Sequence, residues 1–290
     1  MGLLDGRGIV ITGGGRGLGR AFAGAVAREG AGVVVNDMDA DVAEATAADI
    51  RAEGGTAVAC VASVTDWQAA GEIVGRCLRE FGSVDGLVNN AVSYGFGHPW
   101  EEDPERMRRQ IEVNVLGALY CGARAMRIMR DQRRGSIINL TSDIMMGKAG
   151  MSTYGAAKGA LASVTFGWAL DMMPHNVRVN ALAPGAMTRA AELAGKFGRP
   201  DKGNDPPPEA VAPAVVFLLS DVSAGITGQV VMLMGRRLGL ISHPTLLEPT
   251  LESHDWSAES IADAYERVYR AQLQPVGRGA TSYEWRPGSA

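Results

Sequence analysis

The stretch Gly8–Gly30, GIVITGGGRGLGRAFAGAVAREG, decides the fold. Its opening run, GIVIT, is apolar without polar alternation, as a strand covered on both faces must be. Beyond it, Leu18, Phe22, Ala25 and Val26 recur at three- and four-residue spacing, the period of a helix. A glycine cluster joins the two. Glycine allows tight turns and close backbone approach, and a helix start turns its free N–H groups and positive dipole end toward whatever fills the turn. A strand, a glycine turn and a helix in that order can therefore hold a pyrophosphate. The spacing is T-G-x-x-x-G-x-G, set by Thr12, Gly13, Gly17 and Gly19, rather than G-x-G-x-x-G.

The same rhythm continues outward through GVVVN at 32–36, TAVACV at 56–61, GLVNN at 86–90, SIINL at 136–140, VRVNAL at 177–182 and VVMLM at 230–234. Helical patterns separate these runs, for example Ile73, Val74, Cys77, Leu78 and Phe81. The predicted fold is α/β, a single doubly wound Rossmann-type domain over residues 1–240 with a mostly parallel seven-stranded sheet. Residues 241–290 are predicted to be a C-terminal extension with one amphipathic helix over Ala258–Ala271. The Gly- and Pro-rich stretch between Gly185 and Pro208 reads as a mobile loop beside the site.

Composition narrows the partners. The 290 residues carry a net charge of −4, which argues against a nucleic-acid footprint or a membrane surface. The 38 glycines are nearly twice the usual ~7% and show no collagen period, so they point to a ligand-binding fold. No apolar stretch approaches the ~20 residues of a membrane span, and the amino terminus does not read as a secretory signal. Three widely spaced cysteines, Cys60, Cys77 and Cys121, fit buried thiols in a reducing, cytoplasmic compartment. His98, His175, His243 and His254 have no metal-ligand spacing, so no metal is expected.

Two further clusters carry chemistry. Asp37 closes the second apolar run, where an acidic side chain meets the adenosine ribose hydroxyls and repels a 2′-phosphate. Arg16, inside the glycine loop, could attract that phosphate or simply be solvated, and Asp39 and Asp41 read as caps of the next helix. Tyr154 and Lys158 stand four residues apart in TSDIMMGKAGMSTYGAAKGAL and share a helix face. An ammonium beside a phenol should lower the phenol's pKa from ~10 toward neutrality. Ser142 follows the strand SIINL at the carboxyl edge of the sheet, where open α/β folds bind ligands.

With these motifs in order, the chain resembles the short-chain dehydrogenase/reductase family over roughly residues 5–235. The matching pieces are TGGGRGLG at 12–19, NNA at 89–91, Asn114, Ser142, Tyr154 with Lys158, and Pro184-Gly185. The resemblance implies that Tyr154 is the general acid/base and that Lys158 lowers its pKa and holds the nicotinamide ribose. It further implies that Ser142 orients the substrate oxygen and that Asn114 supports a water in the proton relay. It places the cofactor against Gly13, Arg16, Gly17, Leu18, Gly19, Asp37, Val64, Asn90, Tyr154, Lys158, Pro184, Gly185 and Thr188. Ser142 lies twelve positions before Tyr154 rather than the family's thirteen, so Thr141 competes for the serine position. Val92 replaces the usual glycine after NNA, and Ser63 stands where an aspartate commonly meets the adenine.

The expected function is hydride transfer between a nicotinamide cofactor, NAD rather than NADP, and a secondary alcohol or ketone. The C-terminal part weakly resembles the dehydrogenase unit of peroxisomal multifunctional β-oxidation enzymes, which makes a (3R)-hydroxyacyl-thioester dehydrogenase the alternative. Lys196, Arg199, Lys202, Arg236 and Arg237 are the candidate contacts for a coenzyme A phosphate. A non-catalytic nucleotide-binding scaffold or redox sensor is the rival from another class. Val92, Tyr94, Phe96, Trp100, Met145, Met146, Met151 and Met187 flank the catalytic set and favour a small-molecule substrate with an apolar body. The Arg106, Arg108, Arg109 cluster reads as a solvated helix face. A homodimer or homotetramer is expected from the resemblance, with Ala156, Ala160, Ser163 and Gly167 permitting close helix approach.

Overall fold

Gly8–Thr12 forms β1, buried along its whole length at the middle of the sheet. The computed structural model describes residues 2–185 and 206–274, and the chain divides into two compact units, Met1–Ile241 and Ser242–Ala290. In the first unit β1 is joined by β2 (Gly32–Asp37), β3 (Thr56–Val61), β4 (Gly86–Asn89), β5 (Gly135–Leu140), β6 (Val177–Gly185), β7 (Val230–Met234) and β8 (Arg237–Ile241). The order across the sheet is β3-β2-β1-β4-β5-β6-β7-β8, parallel from β3 through β7. The chain winds outward from β1 to β3 and then returns to lay β4 on the other flank of β1. That reversal opens a crevice at the carboxyl ends of β1 and β4.

The side-chain period of two divides the core. Ile9, Ile11, Val33 and Val35 face helices α1 (Gly17–Arg28) and α7 (Ala212–Leu219), packing with Phe22, Val26, Val215 and Leu218. Val10, Val34, Leu87, Ile137 and Val179 face the other way, onto Ile73 and Cys77 of α3 (Trp67–Phe81) and Cys121 and Met129 of α5 (Gly117–Gln132). The Asp66 carboxylate caps α3 by accepting from the Ala69 N–H at 2.7 Å, and Gly82 ends it at a left-handed φ of +75°. The remaining helices of this unit are α2 (Ala40–Ala52), α4 (Pro104–Ile111) and α6 (Ser152–Met172).

The sheet has eight strands among the described residues, one more than the sequence reading gave. β8 pairs antiparallel with β7 through a tight turn in which Gly235 has φ +58°. Its sequence, RLGLI, is an edge strand, charged at its start and half exposed, so it lacks the continuous apolar run that marks the parallel strands. In the second unit the expected helix over Ala258–Ala271 occurs in three geometries. α8 (Ala258–Ala264) starts at a capping box between Ser257 and Ser260, then passes into a π turn at Tyr265–Tyr269 and a 3₁₀ turn at Arg270–Gln272. Most of the predicted Gly185–Pro208 loop lies outside the described residues, as do Met187, Lys196, Arg199 and Lys202.

Candidate active site

The crevice is a cavity of about 660 Å³ at the carboxyl ends of β1, β2 and β4. Gly13, Arg16, Gly17, Leu18, Gly19, Asp37, Val64 and Asn90 line it, as do Ser63 and Val92. Pro184 and Gly185 end β6 and are not among its lining residues, and Thr188 lies outside the described residues.

The glycine turn owes its shape to backbone contacts. Gly13 has φ +61°, and a Cβ there would lie 2.9 Å from the Ala91 Cα. A Cβ on Gly19 would collide with the Gly13 carbonyl oxygen, whereas the space beside Gly17, at φ +50°, is open. Thr12 and Asn90 latch this turn to the end of β4. The Thr12 hydroxyl accepts from the N–H groups of Asn90 (3.0 Å) and Ala91 (3.1 Å). The Asn90 amide in turn donates to the carbonyls of Thr12 (2.9 Å) and Gly13 (3.0 Å). Gly13, Gly17 and Gly19 thus leave backbone exposed at the N-terminal end of α1 where a pyrophosphate would sit, a cradle that fits a dinucleotide.

At the other end of the cavity the charges pair differently from the sequence reading. Asp37 accepts from the Gly15 N–H at 3.2 Å and from the Asp39 N–H at 3.3 Å, which fixes its carboxylate at the rim. Asp39 makes no side-chain cap to α2 and instead forms an ion pair with Arg16. Arg16 is therefore neither a plain solvated residue nor an uncompensated cation. Arg109, read as part of a solvated face, lines the cavity and reaches the Met38 thioether at 3.8 Å. Nothing in local periodicity signals this, since the contact joins α4 to the end of β2.

At the carboxyl end of β5 follow Thr141 and Ser142. The Thr141 hydroxyl is buried and donates to the Lys158 carbonyl at 2.7 Å, so it points into α6. Ser142 is half-buried; its hydroxyl accepts from the Ile144 N–H at 3.2 Å and donates to the Asp143 carboxylate at 3.3 Å. One turn apart on α6, Tyr154 and Lys158 are both buried, with the Lys158 Nζ 5.6 Å from the Tyr154 ring centroid. Lys158 Nζ donates to the Leu140 carbonyl at 2.5 Å.

The electrostatics of this pair correct the sequence reading. Burial without a facing carboxylate pushes Lys158 down to about 7. Tyr154 is raised well above its ordinary value, first by burial and then by Tyr94 and Asp143. Helical spacing had implied an ammonium lowering the phenol, but it says nothing of depth, and here desolvation wins for both groups.

Asn114 sits in a π turn, Glu112–Leu116, between α4 and α5. Its carboxamide oxygen accepts from the Ser93 N–H at 2.7 Å and its nitrogen donates to the Ser93 carbonyl at 2.9 Å. The side chain is therefore held by the loop after β4. Tyr94, the next residue, stacks on Tyr154 with ring centroids 5.2 Å apart. Glu102 closes the same loop, accepting from the Thr153 hydroxyl at 2.7 Å and the Gln110 amide at 2.6 Å.

Other candidates stand apart. Trp100 is 78% exposed and stacks on His98, and Met146 is 41% exposed, so neither is a buried wall. Met145 packs toward Ala162 and Val230, and Phe96 and Met151 are half-buried. Cys60, Cys77 and Cys121 are free and buried, the last two pushed up to about 12, which leaves them unreactive. Among the described residues no group of His, Cys, Asp or Glu could hold a metal ion, and no helix is long and apolar enough to cross a membrane.

Residues 7–197 match the family described as short chain dehydrogenase. A curated relative, 2-(S)-hydroxypropyl-CoM dehydrogenase 3 of Xanthobacter autotrophicus, is 37% identical over 76% of this chain and 92% of its own length. The crystal structure of a short chain dehydrogenase from Mycobacterium avium superposes with a TM-score of 0.84 at 29% identity, over 95% of this chain and 98% of its own. NAD⁺-bound xylitol dehydrogenase superposes at 0.75 with 30% identity, over 80% of this chain and 99% of its own.

Proposed function

The chain belongs to the short-chain dehydrogenase family, and from that premise we propose that it is an NAD-preferring oxidoreductase of secondary alcohols and ketones with an apolar body. The observation that carries the reading is the buried Tyr154–Lys158 pair, joined through the Tyr94 stack to a cavity whose glycine cradle fits a dinucleotide. Bound there, the nicotinamide ring supplies the carbon that accepts or delivers hydride. Tyr154 Oη takes the alcohol proton in oxidation and returns it in reduction. The Ser142 hydroxyl, half-buried and held by longer bonds than the buried Thr141 hydroxyl, orients the substrate oxygen. Lys158 Nζ keeps two N–H groups beyond its bond to Leu140 for the nicotinamide ribose. Asn114 acts by fixing Ser93. Burial of both Tyr154 and Lys158 in one site speaks against a non-catalytic scaffold, since an unpaired buried lysine is costly to keep without use.

NAD preference is supported by Asp37 at the adenosine rim and by the pairing of Arg16 with Asp39, which leaves that cation less able to attract a 2′-phosphate. Apolar substrate walls are supported by Val92 and Tyr94, which line the cavity. The thioester branch rests on the C-terminal resemblance, and its candidate contacts Arg236 and Arg237 are exposed at the β7–β8 turn. One experiment tests these together: kcat/KM for NAD and NADP with secondary alcohols, polyols and 3-hydroxyacyl thioesters of graded length. The expected result is NAD preference and a rise with chain length of up to ~0.8 kcal/mol per buried methylene. Asp37→Ala should erode the cofactor discrimination and keep activity. NADP preference overturns the cofactor assignment, and best activity on polyols overturns the apolar pocket.

We also infer a homodimer or homotetramer. The apolar residues of helix α6 are spread round its circumference rather than gathered on one face, which suits a helix covered from two directions. One of its faces carries Ala156, Ser163 and Gly167 together with Leu170 and Met173, all exposed in the single chain, with Ala160 half-buried beside them. Light scattering at micromolar concentration should return a multiple of the chain mass; the mass of one chain rules the assembly out.

A further inference from the structure

Arg109 brings to the cavity a positive charge that no carboxylate answers. Its helix, α4, is capped by Asp103, which accepts from the Glu105 N–H at 3.2 Å, and runs on into the π turn Glu112–Leu116. Arg106 and Arg108 on this segment are exposed, and Arg108 pairs with Glu105 at 3.8 Å. Arg109 is half-buried and lines the cavity together with Val113, four positions on and therefore on the same side of the helix. Arg16, the other cation of the cavity, is paired with Asp39. Among the described residues the Arg109 side chain meets only the Met38 thioether, at 3.8 Å. A thioether is a weak acceptor, so that contact is easily exchanged for a better one.

Connectivity places this cation along a bound dinucleotide. On the reading proposed above, the pyrophosphate lies on the glycine turn after β1 and the adenosine ribose at Asp37, the end of β2. In the sheet β3 lies beyond β2, so the cavity continues past Asp37 to Ser63 and Val64, which follow β3, with Met38, Val113 and Arg109 around them. The base attached to that ribose belongs in this part. Ser63 is engaged in its own turn, its hydroxyl 2.9 Å from that of Thr65 and accepting from the Thr65 N–H at 3.3 Å. Among the described residues the one aromatic ring lining the cavity, Tyr94, is stacked on Tyr154. Arg109 is left as the planar group available to a base, and a guanidinium stacks on aromatic faces by its plane and its charge together.

We propose that Arg109 recognises the adenine of the cofactor, exchanging the Met38 thioether for the face of the base. The proposal rests on the reading of this cavity as a dinucleotide site. A stack of this kind needs no 2′-phosphate, so it serves NAD beside the carboxylate of Asp37.

The experiment is calorimetric binding of NADH and of ADP-ribose, which lacks the nicotinamide, to the parent, Arg109→Leu and Arg109→Lys. Arg109→Leu gives up only a thioether contact in the fold, so its Tm should match the parent's. Both ligands should bind to it roughly fivefold more weakly. The factor should be nearly the same in low salt and in roughly 0.5 M salt, because a contact covered by the base is little screened. Arg109→Lys keeps the charge without the plane and should recover only part of the loss. Unchanged affinity in Arg109→Leu overturns the proposal. Full recovery in Arg109→Lys, or a loss that high salt abolishes, overturns it as well, by making Arg109 a point charge for the phosphates. A larger loss for 2′-phosphorylated ADP-ribose than for ADP-ribose would make it a 2′-phosphate site, against both the stack and the NAD assignment. A parent protein that binds neither NADH nor ADP-ribose removes the dinucleotide reading itself, and the proposal with it.

Discussion

Tyr154→Phe is expected to lower turnover by roughly 10²-fold or more while NADH binds within about twofold of the parent affinity. The change removes one oxygen from a ring that is buried, so the packing of α6 survives. The stack on Tyr94 needs only the two rings, and phenylalanine supplies one of them. What disappears is the atom proposed to exchange a proton with the substrate oxygen, and neither Ser142 nor Lys158 can replace it. The serine hydroxyl has too high a pKa, and Lys158 Nζ is directed at the Leu140 carbonyl. Because the lost interaction is made with the reacting atoms, kcat and kcat/KM should fall together. Fluorescence titration with NADH and steady-state rates on one secondary alcohol check both halves. A loss of less than tenfold at unchanged affinity would assign the proton transfer to another group.

The reach of the sequence differs between parts of this molecule for identifiable reasons. Strands β1 to β7 announce themselves because a sheet covered on both faces demands unbroken apolar runs; β8, at an edge, answers to no such demand. The glycine turn and the Tyr154–Lys158 pair are legible because local geometry fixes them: one through positive φ and close backbone contact, the other through the helical period. The sign of the Tyr154 shift was not legible, since spacing reports proximity and only the fold reports burial. Arg109 and Glu102 were also missed. Each acts across elements distant in sequence, on Met38 and Thr153 respectively, and neither stands in a pattern that marks it. Asp39 shows the converse error: its position before α2 suggested a cap, but Arg16 offered its carboxylate an opposite charge that a cap cannot match.

Lys158→Met is expected to disable the enzyme and stabilise the protein at once. Lys158 is buried, and its amino group falls from 10.5 to about 7 because burial penalises the charged form. Since the folded-state value lies below the unfolded one, the unfolded chain binds the extra proton between about pH 7 and 10.5, and stability rises with pH across that window. Below about pH 7 both states are protonated and the folded protein bears the whole penalty. Methionine carries no charge and a similar length of chain, so it removes the penalty, roughly a few kcal/mol at the acidic end. Against this stands the lost bond to the Leu140 carbonyl, about 1 kcal/mol and independent of pH. Tm should therefore increase most at about pH 6, and the gain should shrink or reverse toward pH 10. Turnover should drop by roughly 10²-fold or more and NADH should bind more weakly, because the amino group proposed to hold the ribose, and placed beside the Tyr154 ring, is gone. Thermal unfolding of parent and variant across that pH range, beside NADH titration, separates the two effects. A Tm difference that is the same at both ends of the range would mean that Lys158 is neutral throughout or solvated in the folded protein. A loss of stability that deepens toward acid would mean that the ammonium has a stabilising partner in the fold. Either result would count against a buried lysine kept for its chemistry at a cost to the fold.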